Sequence, residues 1–446
     1  MSALSRSEFL TAAAAAALPA TTYGVRSSFA ASDGAETVRA LVLSGGTAHG
    51  AYEAGVLWAL WNSRALNQRG GKPEIPSFTE REPFDFIVGT SIGALNGALF
   101  CRDDGPKKLA DLWNTIGSRP VLVLRPDYDT AVHAQHGIIN RASAVYRIGR
   151  DALGSNLSSL CEGEPIRQIL RECFLTEDKR GLRPFRIPLI WTATDLTNAC
   201  AGYFYRLPAS DAKSPWYNDV SLAALRSRLD EQNLRSNYES DVDHFVESLR
   251  ASSAIPAVFE PALLKDSANP AFWHVLSDGG VVNNTPFALA MRAAPFLTAH
   301  DIRLEIYAVV LGSRFKGAPQ REAYNLLGTL LTSYNIMTQR LFDDAARRAT
   351  DATTQRTTTL AMTPSSKQKM LSTFVEQTLG PTAPALKAVP KEVEVYVIQP
   401  STDLVGTSFA FTDQDALSWN YELGFRDAQE SGFTQYPQPA EFCFLG

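Results

Sequence analysis

Apolar positions along the chain fall into short runs closed by glycine-bearing turns, alternating with longer stretches of helical spacing. Ala40-Leu41-Val42-Leu43 is such a run, entered through Glu36 to Arg39 and ended by Ser44-Gly45-Gly46, and it reads as a buried strand meeting a tight loop. Ala51, Ala54, Val56, Leu57, Ala59 and Leu60 then supply the apolar face of a helix. Phe84 to Val88 predicts a second strand, stopped at Gly89, and Ile92 to Phe100 predicts an Ala- and Gly-rich helix able to pack closely on a sheet. The strand, turn and helix order thus occurs twice between residues 40 and 100. Such alternation predicts an α/β fold, a central, mainly parallel sheet flanked by helices.

The rhythm breaks between residues 125 and 160, which carry scattered His, Tyr, Arg and Gly without a period and read as an insertion or cap. Pro165 to Phe174 has helical spacing, and Ile187 to Thr194, Val275 to Ser277, Leu304 to Leu311 and Val393 to Ile398 read as strands. Ala416 to Gln429 reads as a closing helix. No linker interrupts this series, so one α/β domain is expected over residues 38–432, with a tail at 433–446. Residues 1–37 stand apart. Arg6 precedes the apolar run Phe9 to Ala20, and Leu18-Pro19-Ala20 and Phe29-Ala30-Ala31 fit signal-peptidase sites, so the segment reads either as a signal peptide or as a frayed Ala-rich extension. The first reading places the protein outside the cytoplasm or at a membrane surface, and the second leaves it cytoplasmic. No run of 18 apolar residues is present, so a transmembrane span is not expected.

Composition changes this picture little. The chain has 446 residues, 45% of them hydrophobic and 20% charged, as a globular core requires. Its formal net charge of -5 and lack of a basic block argue against a nucleic-acid partner. Cys101, Cys161, Cys173, Cys200 and Cys443 form no C-x-x-C pair and the histidines do not cluster, so neither a disulfide framework, a metal site nor another cofactor is expected.

The chemistry concentrates in three places. Gly89-Thr90-Ser91-Ile92-Gly93 is G-x-S-x-G between a predicted strand and a predicted helix, the context of a nucleophile elbow, although a serine can also simply cap a helix. Leu43 to Gly50 forms a Gly-rich loop whose backbone N–H groups and following helix favour negative charge, as an acyl-transfer oxyanion needs. It lacks G-x-G-x-x-G, and Ala51 stands where a phosphate loop needs lysine, which weakens both nucleotide readings. A structural turn remains the alternative there. Asp278 ends a predicted strand in Ser277-Asp278-Gly279-Gly280, either as a base turned toward the serine or as a simple D-G turn. Among the histidines only His300 has the chain order that an ordinary α/β-hydrolase triad requires.

Together these segments resemble the patatin-like phospholipase family. The glycine loop with Ala51-Tyr52-Glu53-Ala54-Gly55-Val56-Leu57, the elbow and the Asp278-Gly279-Gly280 turn follow the family's order. Ala251 to Phe259 is similar to the segment before its aspartate, and Gly424 with its helix to its C-terminal end. The resemblance covers residues 38–312, with 313–432 completing the domain. It implies a three-layer fold and hydrolysis of lipid carboxylic esters at a membrane or lipid-aggregate surface, by a Ser/Asp dyad without metal. In that scheme Ser91 is the nucleophile and Asp278 its base, Gly45, Gly46 and Thr47 line the oxyanion hole, and Gly50, Gly89, Gly93, Gly279 and Gly280 support the motifs. Thr47 replaces the family's usual third glycine, and His49 its usual arginine or lysine. A threonine is more restricted than glycine, and an imidazole can change its charge near neutrality. Two further readings stand beside this one, a His300-dependent esterase and a weakly active lipid-binding member.

Overall fold

Alternation within the strands sets the layers. In β1 (Glu36–Leu43), Val38, Ala40 and Val42 join one apolar core, and Leu41 and Leu43 join another. Successive side chains of a strand point to opposite faces, so a strand whose residues are all apolar must be covered on both. The computed structural model describes residues 36–62, 83–102, 104–125, 159–208, 242–265, 271–294, 302–311, 392–406 and 409–436. The N-terminal extension, most of the expected insertion, His300 and most of the C-terminal tail lie outside the described residues.

The same two-sided pattern runs through β2 (Phe86–Thr90), β3 (Leu189–Asp195), β7 (Ile302–Val309) and β8 (Glu392–Ile398). These four and β1 form the centre of a mixed sheet, in the order β3-β2-β1-β7-β8 and all parallel. Antiparallel strands flank it: β4 (Cys200–Arg206), β5 (Ala262–Lys265), β6 (Trp273–Asp278) and β9 (Thr434–Tyr436). The parallel character expected from the sequence therefore resides in the centre. β2 also continues through Gly89 to Thr90 rather than stopping at the glycine, because both residues pair with β3.

One core packs α1 (Gly50–Asn62), α2 (Ile92–Phe100), α3 (Gly105–Thr115), α4 (Glu164–Phe174), α5 (Val242–Ser252) and α8 (Gln414–Glu430) against the sheet. The opposite core packs Phe287, Leu289, Ala290 and Ala293 of α7 (Phe287–Ala293). Helix, sheet and helix make the three layers. α1 and α8 cross so closely that a Cβ on Gly55 or Gly424 would strike the carbonyl oxygen of Tyr421 or Tyr52, respectively. Tyr52 Oη also donates to Asp427 Oδ2 at 3.2 Å, tying the C-terminal helix to the first one. None of the described helices is long and apolar enough to cross a membrane.

Candidate active site

β3 organises the site. β4 runs antiparallel along all of Leu189–Asp195 and fills one edge of the strand. The other edge is shared: β2 pairs parallel with Leu189–Thr192, and β6 pairs antiparallel with Ala193–Asp195. Since β2 and β6 run toward each other, their C-terminal ends meet, with Thr90 opposite Thr192 and Asp278 opposite Ala193. Ser91 follows Thr90. Its Oγ donates to Asp278 Oδ2 at 2.7 Å, and both residues are buried, Ser91 being only 4% exposed.

Ser91 has φ 55 and ψ −126, outside the regions L-residues favour, at a cost of about 1–3 kcal/mol that the surroundings must offset. Hydrogen bonds do so. Ser91 N–H donates to Ser252 Oγ at 2.9 Å, and that hydroxyl donates to Thr192 O at 2.6 Å. Ser91 O accepts from Ala94 N and Leu95 N at the start of α2. Space matters equally: a Cβ on Gly93 would lie 2.5 Å from Leu43 O, and one on Gly89 would lie 2.7 Å from Gly93 O.

Asp278 is held at every polar backbone atom. Its N–H donates to Ala254 O at 2.8 Å, and its carbonyl accepts from Thr194 Oγ1 at 2.7 Å. Its second carboxylate oxygen, Oδ1, accepts from Gly280 N at 2.7 Å. That donor begins the short helix α6 (Gly280–Asn283). Gly279 has φ −64, which any residue adopts. Its role is proximity rather than an unusual turn, because a Cβ there would lie 2.5 Å from both Thr192 O and Thr192 Oγ1. Gly279 N–H donates to Ser252 O at 3.1 Å, so Ser252 braces both halves of the site.

The loop after β1 borders the serine. A Cβ on Gly45 would strike Asn284 Oδ1 and lie 3.1 Å from Ser91 Cβ. Gly45 N–H is already donated to Asn284 O at 3.1 Å. The N–H groups of Gly46 and Thr47 have no hydrogen-bond partner among the described residues. Thr47 has φ 56, a conformation that suits glycine and is rare for a β-branched residue, and its Oγ1 donates to Gly46 O at 2.7 Å. Gly50 begins α1 with Ile92 where a Cβ would fall. His49 is partly buried with Nε2 3.5 Å from Gly406 O. Burial lowers its pKa below the ordinary histidine value, against a smaller opposing effect of the Gly406 carbonyl. The imidazole is thus mainly neutral at pH 7, and its charge change belongs to more acid pH than the sequence suggested.

Beside Ser91 and Thr47 opens a cavity with hydrocarbon walls, among them Leu95, Leu99, Leu112, Ile169 and Phe259. The polar Asn96 on its wall is engaged behind it: Nδ2 donates to Glu53 Oε2 at 2.8 Å and Gly50 O at 3.0 Å, while Oδ1 accepts from Trp113 Nε1 at 2.9 Å. Burial holds the Glu53 carboxyl well above the usual carboxylate range. Cys173 also lines the cavity, and burial pushes its thiol pKa up to about 11.

Sequence reasoning left Ser252, Thr192, Thr194 and Asn284 without roles. Ser252 and Asn284 sit inside or just beyond segments singled out for their resemblance, but only the meeting of β2 and β6 reveals what they hold. No curated protein matches the chain in sequence. Among solved structures, VipD from Legionella pneumophila is similar at 13% identity and a TM-score of 0.30, covering 90% of this chain and 68% of VipD. A family model described as patatin-like phospholipase matches residues 41–291. That stretch exceeds half of the chain and runs from the glycine loop through Ser91 to Asp278, so the protein belongs to the patatin-like phospholipase family.

Proposed function

We propose that this member of a lipid acyl hydrolase family cleaves carboxylic esters of phospholipids or related lipids through an acyl-serine intermediate, with Ser91 and Asp278 as a dyad. The observation that carries the reading is the 2.7 Å hydrogen bond from Ser91 Oγ to Asp278 Oδ2, made by a serine in a strained turn at a strand end. Asp278 takes the hydroxyl proton as Ser91 Oγ bonds to the ester carbonyl carbon. The carbonyl oxygen becomes an oxyanion, to which Gly46 and Thr47 N–H donate. Collapse of the tetrahedral species breaks the bond to the leaving alcohol, which receives the proton from Asp278. Water then repeats the sequence: Asp278 accepts its proton, the hydroxide oxygen bonds to the acyl carbon, and Ser91 leaves reprotonated with release of the fatty acid. The acyl chain occupies the apolar cavity beside Ser91, where burying each methylene contributes about 0.8 kcal/mol.

Covalent labelling by a fluorophosphonate tests this directly. Wild type should be labelled and should hydrolyse a short-chain ester, and folded Ser91→Ala should do neither. Retained turnover in folded Ser91→Ala would refute the mechanism. The His300-dependent reading is separated by His300→Ala, expected to stay within a few-fold of wild type.

A further inference from the structure

Large apolar side chains left in water are distributed unevenly over this protein. Among the described residues Leu196, Leu263, Phe272, Trp273 and Val405 form the exposed set, at 38–54% exposure. All five stand beyond the C-terminal ends of the parallel strands, the edge that carries Ser91. Leu196 follows the last residue of β3. The β5–β6 hairpin runs past the end of β3, because Leu276 already pairs with Asp195 and β6 continues outward from there to Trp273. Trp273 therefore stands five residues beyond Asp278, roughly 16 Å along the strand at the usual rise. Val405 precedes Gly406, whose carbonyl faces His49 just after β1.

Four of the five gather on neighbouring elements. Leu263 pairs across the hairpin with Val275, and Leu196 N–H donates to Val275 O at 2.8 Å. Lys265 pairs with Trp273, and its ammonium lies 5.0 Å from the centre of the Trp273 ring. A tryptophan with a lysine against its face and Leu263 on the same side of the hairpin, with Phe272 at the strand end on the other side, 5.1 Å from the His274 ring, matches the layered chemistry of a bilayer interface. Trp suits the headgroup boundary, the aliphatic groups suit the acyl region, and lysine suits anionic phosphate.

We infer that Leu196, Leu263, Phe272 and Trp273, with Lys265, form a docking surface for an anionic lipid bilayer, which holds the Ser91 edge against the membrane. The inference rests on the proposed lipid-ester reading for its purpose, but binding is measurable without turnover. A lipid surface fits better than a protein groove for three reasons. Most of its residues lie on a hairpin that runs past the end of β3, they stand at the strand-end edge that carries Ser91, and the cation sits at the aromatic face.

The test is cosedimentation of the full chain with vesicles of equal phosphatidylcholine and phosphatidylglycerol, compared among wild type, Leu263→Ser/Trp273→Ser, Leu196→Ser/Phe272→Ser and Lys265→Glu. Each double variant should lower vesicle affinity tenfold or more and hydrolysis of vesicle lipid in parallel, while turnover of a soluble short-chain ester stays within twofold. Lys265→Glu should weaken binding to these vesicles more than to pure phosphatidylcholine. Circular dichroism identifies folded variants, and the two doubles sample different elements so that one misfolding does not remove the test. Wild-type vesicle affinity in both folded doubles would overturn the inference. So would self-association of wild type that the doubles abolish without any vesicle binding, since the patch would then join two copies. Loss of vesicle binding in the doubles, together with a wild type inert toward every ester, would leave the docking surface standing and refute the hydrolase reading instead.

Discussion

The two halves of the candidate site are built on different principles. On the serine–aspartate side, strain at Ser91 is countered by its N–H donating to Ser252 Oγ and by its carbonyl accepting from the start of α2, and Asp278 is fixed through Ala254, Thr194 and Gly280. On the loop side, Gly45 is pinned to Asn284, whereas the left-handed Thr47 is compensated within its own turn, by its hydroxyl bond to Gly46 O and by Gly50 N–H donating to its carbonyl. One half is held by other strands and helices, the other largely by its own turn. In the proposed mechanism, position is therefore expected to be robust where the proton moves and more adjustable where the oxyanion forms.

The comparison breaks most sharply at the base. Asp278→Asn keeps the shape but cannot accept the serine proton, and it should lower kcat on the order of 10^4-fold with circular dichroism unchanged. A folded variant within tenfold of wild type would show that proton transfer does not run through Asp278. Ser252→Ala comes next, because it leaves Ser91 N–H buried without its acceptor, a loss of about 1–3 kcal/mol. If part of that cost falls on the transition state, kcat drops roughly 10- to 100-fold while KM holds. A KM change alone would assign Ser252 to the cavity wall.

Smaller effects lie on the loop side. Thr47→Gly relieves a left-handed strain of about 1–2 kcal/mol and gives back roughly half through glycine's looser unfolded chain, so Tm should rise by about one degree in a domain of this size. Turnover of a neutral ester should stay level or rise a few-fold, and a large fall would mean that the Thr47 side chain helps to bind substrate. The smallest effect is expected at His49. Its pKa is depressed, so the folded state resists protonation and stability falls as the pH drops below about 6.5 toward the folded pKa. His49→Arg introduces a permanent cation and should flatten that acid-side loss. It should also favour anionic over neutral substrates by a few-fold above about pH 7, where the wild-type imidazole is mainly neutral. Equal changes on both substrates would exclude action through charge.

Legibility in the sequence follows the same division. β1, α1, α2 and the strands of the sheet centre were readable because fully buried parallel strands are runs of apolar residues and their helices repeat at helical spacing. β4 was missed because Cys200–Arg206 offers neither alternation nor a long apolar run, only three small residues followed by Tyr203-Phe204-Tyr205. α5 was missed because Val242–Ser252 buries Ser248, Arg250 and Ser252 along with its apolar positions. Ser91 and Asp278 stood out because each sits in a glycine-marked turn. The partners that hold them did not, since Ser252 and Thr192 carry ordinary polar side chains whose meaning depends on which strand ends meet. Thr47 was legible as a departure from glycine, but that it keeps a glycine-like backbone is a fact of the folded chain.

The shared edge of β3 has a consequence for when this protein becomes reactive. Ser91 and Asp278 are 187 positions apart, and no local segment brings them together. β2 can join β3 once residue 192 exists, but the place beside it stays open until β6 arrives from the far side of α5. Closing so long a loop is slow compared with forming helices and neighbouring strand pairs. During synthesis Ser91 is made before Asp278, and during refolding the junction that joins them closes late. With the proposed dyad, a partly made or partly folded chain holds a serine without its base, and hydrolysis is expected to begin only when β6 docks. Reactivity toward a fluorophosphonate is then expected to lag the recovery of helical signal.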